Sequence, residues 1–189
     1  MAARNRLPPW HEELRLPNGR QILIRPIRPD DAAPLQGSFM LLQPDEIRQR
    51  FLHSVKQLAP DMVQRLTHPD PRSEFALVAA EPLPPGEALV GAVARIAVDP
   101  GTRNGEFAIL VSHYVAGMGL GRHLMRRLVR WAKGKQLDTI YGDVLESNQP
   151  MLSLVQSLGF ERAHSESPGL VRVVLDLKPG AGEPALLAG

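Results

Sequence analysis

The sequence predicts an α+β protein built around a mixed, mostly antiparallel sheet. Three observations carry this. Apolar runs recur at short spacing from Gln21 to Leu177, with turn residues between them. One strand–helix–strand connection, from Val111 to Thr139, stands in the middle of the later run of strands and reads as a parallel crossover. That connection contains a glycine-rich turn followed by an amphipathic helix, in a chain of 189 residues that suits one domain.

Residues 1–17 hold Pro8, Pro9 and Pro17 and read as a loosely held arm, with Trp10 as its anchor. Asn18-Gly19 is a turn pair. Gln21 to Ile27 follows as a strand, with Ile22 and Ile24 on one face and Leu23 on the other. Pro26 and Pro29 place its end at a sheet edge. Asp30 or Asp31 then caps a helix whose apolar stripe is Leu35, Phe39 and Leu42. Pro44 opens a second helix, Asp45 to His53, with Ile47, Phe51 and Leu52 inward. Pro60 opens a third, Met62 to Leu66.

Phe75 to Ala80 and Leu89 to Val98 are strands separated by a proline-rich turn. Arg103-Asn104-Gly105 reads as a hairpin turn into a third, so three strands form an antiparallel meander. Beyond the crossover come a strand at Thr139 to Leu145, a helix at Pro150 to Leu158 closed by Gly159, and a last strand at Leu170 to Leu177. Residues 18–178 are thus expected to be one domain. Residues 179–189 lack aromatics and any apolar period and read as a disordered tail.

Composition narrows the chemistry. There is no cysteine, which excludes disulfides, thiolate metal sites and a cysteine nucleophile. The 22 basic and 20 acidic residues give a formal net charge of +2, too balanced for bulk nucleic-acid binding. His53, His68 and His123 show no metal-ligand spacing with nearby acids, so no metal is expected. The amino-terminal stretch has no continuous apolar segment of the signal-peptide kind, and no apolar run is long enough to span a bilayer. A soluble, cytoplasmic protein is expected, with no membrane partner.

The informative stretch is Glu106 to Trp131. An apolar strand, Phe107 to Val111, leads to glycines at 117, 119 and 121, and then to a helix with Leu120, Leu124, Leu128 and Trp131 on one face. Arg122, Arg126, Arg127 and Arg130 lie on the others. Backbone N–H groups and the positive end of a helix dipole converge at such a turn, which makes it a site for phosphate or pyrophosphate. A P-loop is excluded, because the Lys-Ser/Thr ending is missing. The dinucleotide fingerprint fits badly, since Arg122 stands where its third glycine belongs. A plain glycine turn that binds nothing is the remaining alternative.

Taken together, Ala116-Gly117-Met118-Gly119-Leu120-Gly121, Glu146-Ser147-Asn148 and Leu158-Gly159-Phe160 resemble the GCN5-related N-acetyltransferase (GNAT) superfamily, over roughly residues 20–177. Ala116 departs from the basic or amide residue usual at its position. Within that superfamily, Gly105 to Val111, Arg50-Phe51-Leu52 and Asn148 to Leu152 are similar to bacterial protein lysine acetyltransferases. In those proteins the domain is often fused to an acyl-CoA synthetase-like region, to which nothing in this sequence corresponds. The fold implied is a GNAT-type sheet with helices on both faces.

The resemblance implies an acetyl-CoA-dependent acyltransferase. The pyrophosphate would rest on the N–H groups of Met118, Gly119, Gly121 and Arg122 in the turn opened by Gly117. The pantetheine arm would lie along Ile109, Leu110 and Val111. Arg122, with Arg126 or Arg127, could add side-chain contacts. Lysine is protonated at neutral pH, so its attack needs a base. Glu106 is the candidate, where the resembled enzymes carry a glutamate, and the apolar strand around it would raise its pKa. A backbone N–H near Val111 would stabilise the oxyanion.

Other groups are more open. Asn148 either caps the helix after it or hydrogen-bonds the pantetheine arm. His113 and Tyr114 border the loop in packed or hydrogen-bonded roles. The tyrosine that many of these enzymes use to protonate the thiolate is replaced by Val155. The favoured acceptor is a protein lysine. A polyamine or aminoglycoside-like amine is the alternative, and a non-catalytic acyl-CoA-binding module is a third. A monomer or homodimer is expected.

Overall fold

The computed structural model describes residues 7–51 and 58–178. They form an α+β fold around one eight-stranded sheet. The strands are β1 (Glu12–Arg15), β2 (Gln21–Pro26), β3 (Glu74–Ala80), β4 (Val90–Val98), β5 (Asn104–Val111), β6 (Thr139–Leu145), β7 (Glu161–Ala163) and β8 (Leu170–Asp176). They lie in the order β1-β2-β3-β4-β5-β6-β8-β7. Five helices accompany them: α1 (Ala32–Met40), α2 (Pro44–Phe51), α3 (Pro60–Thr67), α4 (Leu120–Gly134) and α5 (Gln149–Ser157).

Strands β1 to β5 form an antiparallel meander, and β5 to β6 is the one parallel pairing among the described residues. α4 makes the crossover. It buries Leu120, Leu124, Met125, Leu128 and Trp131 against Phe75, Leu77, Ile96, Phe107 and Ile109 on one face of the sheet. Trp131 stacks on Phe75 with centroids 5.3 Å apart. Burying these large side chains accounts for the helix's position, at about 1.5–3 kcal/mol for each. On the opposite face α1 and α3 meet through Leu35, Phe39 and Val63, beside the layer of Ile27, Ala76, Val78 and Val90.

Several expectations change. Glu12–Arg15 are not a loose arm: they pair with Gln21–Ile24 as the first strand. β2 is therefore interior, and Pro26 ends it without marking an edge. The turn before β5 spans Asp99 to Arg103, with Gly101 at φ +71°, so Asn104 and Gly105 already belong to the strand. Asp31 does not cap α1 by its side chain. Fully buried, it takes two 2.7 Å hydrogen bonds from the Arg25 guanidinium and one of 2.8 Å from the Arg28 N–H. β7 is short and exposed and was not expected. Leu52 and His53 of the expected second helix lie outside the described residues, as do residues 1–6 and the 179–189 tail.

Candidate active site

β5 and β6 are joined only from Asn104 to Glu106, opposite Thr139 to Tyr141. β5 runs on to Val111 and β6 to Leu145, so the two strands part and the sheet opens. Past Glu106, the edge of β5 towards β6 has no ladder partner and can pair with an extended ligand in the manner of an added strand. A cleft of about 520 Å³ occupies the opening. Of the nine residues expected to hold acetyl-CoA, Ile109, Leu110, Val111, Gly117, Gly119, Gly121, Arg122 and Asn148 line it. The ninth, Met118, packs its side chain against the core instead.

The cleft ends at the glycine turn. Gly117 and Gly119 sit at φ +74° and +82°, backbone that other residues adopt only with strain. Gly119 is the residue before α4, and no side chain caps that helix. Among the described residues the N–H groups of Gly119, Gly121 and Arg122 have no acceptor. They therefore point a 15-residue helix's positive end at the cleft. A side chain at Gly121 would begin 3.4 Å from Leu154 and 3.8 Å from Val111, in the narrow part of the opening.

The other arginines of α4 go elsewhere. Arg127 is drawn away to Glu12, which also takes a 2.8 Å hydrogen bond from the His123 Nε2. Arg126 lies with Arg130 and Lys133 along a different groove. Only Arg122 keeps its place beside the turn. Asn148 caps α5, accepting from the Met151 N–H at 3.3 Å, and lines the cleft as well. His113 and Tyr114 are both hydrogen-bonded. His113 meets Glu46, and the Tyr114 hydroxyl donates to the Val90 carbonyl at 3.0 Å. Burial raises the Tyr114 pKa.

Glu46 was not anticipated. It spans 67 residues of sequence to accept from the His113 backbone N–H and ring, while its other oxygen accepts from the Gln43 N–H at 2.7 Å. This strut holds α2 across the mouth of the cleft. A glutamate at the third residue of a helix looks like a local cap, so only half of its role was readable.

Glu106 is exposed, in a smaller cleft of about 220 Å³ that it shares with Arg50, Phe51 and Asp143. That cleft shares Gln49, Ile109, Asn148 and Met151 with the larger one. The surroundings of Glu106 are mixed and not the apolar wall expected: Arg50, Asp143 and Asn148 line its cleft beside Phe51, Phe107 and Val144. Tyr141 donates its hydroxyl to Asp99 at 2.6 Å, and burial and this bond raise its pKa. Arg172 grips Asp143 through two 3.0 Å bonds. Glu74 pairs with Arg95. Each neighbouring carboxylate is engaged, whereas Glu106 makes no ion pair or hydrogen bond among the described residues. Val155 is buried in the core, where a hydroxyl acid was already missing from the sequence.

Residues 42–160 match the acetyltransferase (GNAT) family. The chain belongs to that family. Over 151 residues, 80% of each chain, it is 29% identical to acetyltransferase PA5475 of Pseudomonas aeruginosa. The GNAT domain of Streptomyces lividans PAT superposes with a TM-score of 0.78 at 25% identity, covering 91% of this chain and 100% of that one. A cAMP-binding acyltransferase from Mycobacterium smegmatis superposes at 0.60 and 22% identity, with 89% of this chain matched to 48% of that one, and shares the fold.

GNAT enzymes transfer an acetyl group from acetyl-CoA to an amine. In this GNAT protein the opening between β5 and β6 brings together an unpaired strand edge, a helix N-terminus with no side-chain cap and, in the adjoining cleft, the Glu106 carboxylate.

Proposed function

We propose that this enzyme acetylates lysine side chains of proteins, with Glu106 as general base. The observation that carries the proposal is the state of Glu106: among the carboxylates around it, Glu106 alone has no partner among the described residues, and its cleft adjoins the one lined by the glycine turn. An unengaged carboxylate can accept a proton from an ammonium, directly or through water. Lysine as acceptor is supported by the likeness to the GNAT domain of the S. lividans PAT protein.

In this reading acetyl-CoA lies with its pyrophosphate at the N–H groups of Met118, Gly119, Gly121 and Arg122. Its pantetheine arm runs along Ile109 to Val111. Glu106 takes a proton from the ammonium, and the freed amine attacks the thioester carbonyl. A backbone N–H near Val111 meets the charge growing on oxygen. The carbon–sulfur bond then breaks, and the nitrogen sheds its second proton to water as the neutral amide forms. Both tyrosine hydroxyls donate to other groups, and Val155 offers no proton, so water protonates the thiolate.

The test is an acetyl-lysine comparison across the proteome with and without the protein, paired with assays on purified acceptors. Lysine acetylation that depends on both the protein and Glu106 supports the reading. Turnover confined to polyamines or other small amines replaces it with a small-amine acetyltransferase.

A further inference from the structure

Next to Glu106 the enzyme carries an arginine, Arg50, that makes no ion pair among the described residues. Arg50, half-buried near the end of α2, borders an apolar pocket beside α1 and two clefts with charged linings. One holds Glu106. The other, of about 480 Å³, has Arg65, Asp70, Glu74 and Arg95 as its remaining charged lining. Glu74 is taken by Arg95, and Asp70 by Arg72 at 3.3 Å. Arg50 and Arg65 are left without an acidic partner among the described residues. Residues 52–57, the next along the chain, contain no acid.

Arg50 stands over the Phe51 ring at 4.8 Å, which covers one face of the guanidinium and leaves its fork of N–H donors for a ligand. Burial, with Arg95 adding to it and Glu106 opposing, pushes the Arg50 pKa down to about 10. A planar guanidinium in such surroundings suits a carboxylate, which it can hold through two parallel hydrogen bonds.

We propose that this second cleft is an acceptor subsite for a carboxylate, so that the enzyme prefers amines carried close to one. On a protein that means a lysine flanked by Asp or Glu, or a lysine at the chain terminus. The inference rests on the acetyl-transfer reading above and names its acceptor class. In it the ammonium faces Glu106, while the carboxylate crosses past Phe51 to Arg50, with Arg65 adding long-range attraction from the rim.

The experiment uses the full chain and matched short peptides with one lysine. One series places Glu, Gln or Lys beside the acceptor. A second ends on the lysine, with a free or an amidated carboxyl. A diamine and its carboxylate-bearing analogue extend the comparison to small amines. The wild type should favour the carboxylate members by about 10-fold or more in kcat/KM, mostly through KM. The ratio should fall to near 1 in Arg50→Gln and lie between in Arg50→Lys. The two peptide series distinguish a side-chain source from a terminal one.

Wild-type rates indifferent to acceptor charge overturn the subsite and leave acetyl transfer standing; this comparison needs no variant and does not depend on how Arg50→Gln folds. A preference that persists in a folded Arg50→Gln overturns it too. Acetyl-CoA binding without acetylation of any acceptor overturns both readings.

Discussion

Glu106 pairs with Tyr141 at the last rung where β5 and β6 are still joined. One residue further on, the strands have no common ladder. The carboxylate therefore stands at the vertex of the opening, with the expected thioester path on one side and the charged cleft of Arg50 and Arg95 on the other. A rung fixes the backbone position of its residues, so Glu106 is anchored while the cleft beyond it stays open.

Replacing Glu106 with Gln keeps the side chain's shape and removes its basicity. Acetyl-CoA affinity by calorimetry should match the wild type, while kcat falls about 100-fold or more. An unchanged rate removes Glu106 from the mechanism.

Gly121→Glu puts a side chain 3.4 Å from Leu154 and a carboxylate at a helix N-terminus that faces the cleft. Repulsion from phosphate should abolish measurable acetyl-CoA binding, with little change in thermal stability. Gly119→Ala should act differently. It forces a Cβ into φ +82°, at a cost of about 1–2 kcal/mol, and should weaken binding while lowering the melting temperature. Wild-type affinity in Gly121→Glu would place the phosphates elsewhere.

Gly142→Ala tests the packing just past that rung. The new Cβ would lie 2.6 Å from Phe107 Cε1, and Phe107 is held edge-on by Phe160 at 5.5 Å, so the ring has no easy retreat. Overpacking of this kind costs about 1–3 kcal/mol. Denaturant unfolding should show the loss. Unaltered stability would mean that the ring moves freely.

Arg25→Met alone should destabilise by about 3–5 kcal/mol, because it strands the buried Asp31 carboxylate. The double variant Arg25→Met, Asp31→Leu should regain most of this, less the bond from the Arg28 N–H. Chemical denaturation of the two single variants and the double variant measures the coupling. Additive effects would show that the pair is not the source.

Much of the fold could be read from local pattern. The β3–β4–β5 meander, the parallel crossover through α4 and the glycine turn at 117, 119 and 121 follow from apolar periodicity and turn chemistry, which act over a few residues. β1 and β7 escaped because short, exposed strands carry little apolar alternation, and their pairing supplies what their sequence lacks. Asp31 was read as a helix cap because cap and ion-pair partner look alike until Arg25 is seen six residues away in the same buried pocket.

By itself the sequence determined most of the elements, their order and the glycine turn that ends the cleft, because each depends on neighbours along the chain. Tertiary structure alone decided which charges are spent and which remain. Arg127 is lost to Glu12, Asp143 to Arg172 and Glu46 to His113, while Glu106, Arg50 and Arg65 are left without partners among the described residues. Charge pairing depends on distance in space, and these partners lie tens of residues apart in the chain, so no local pattern could sort them.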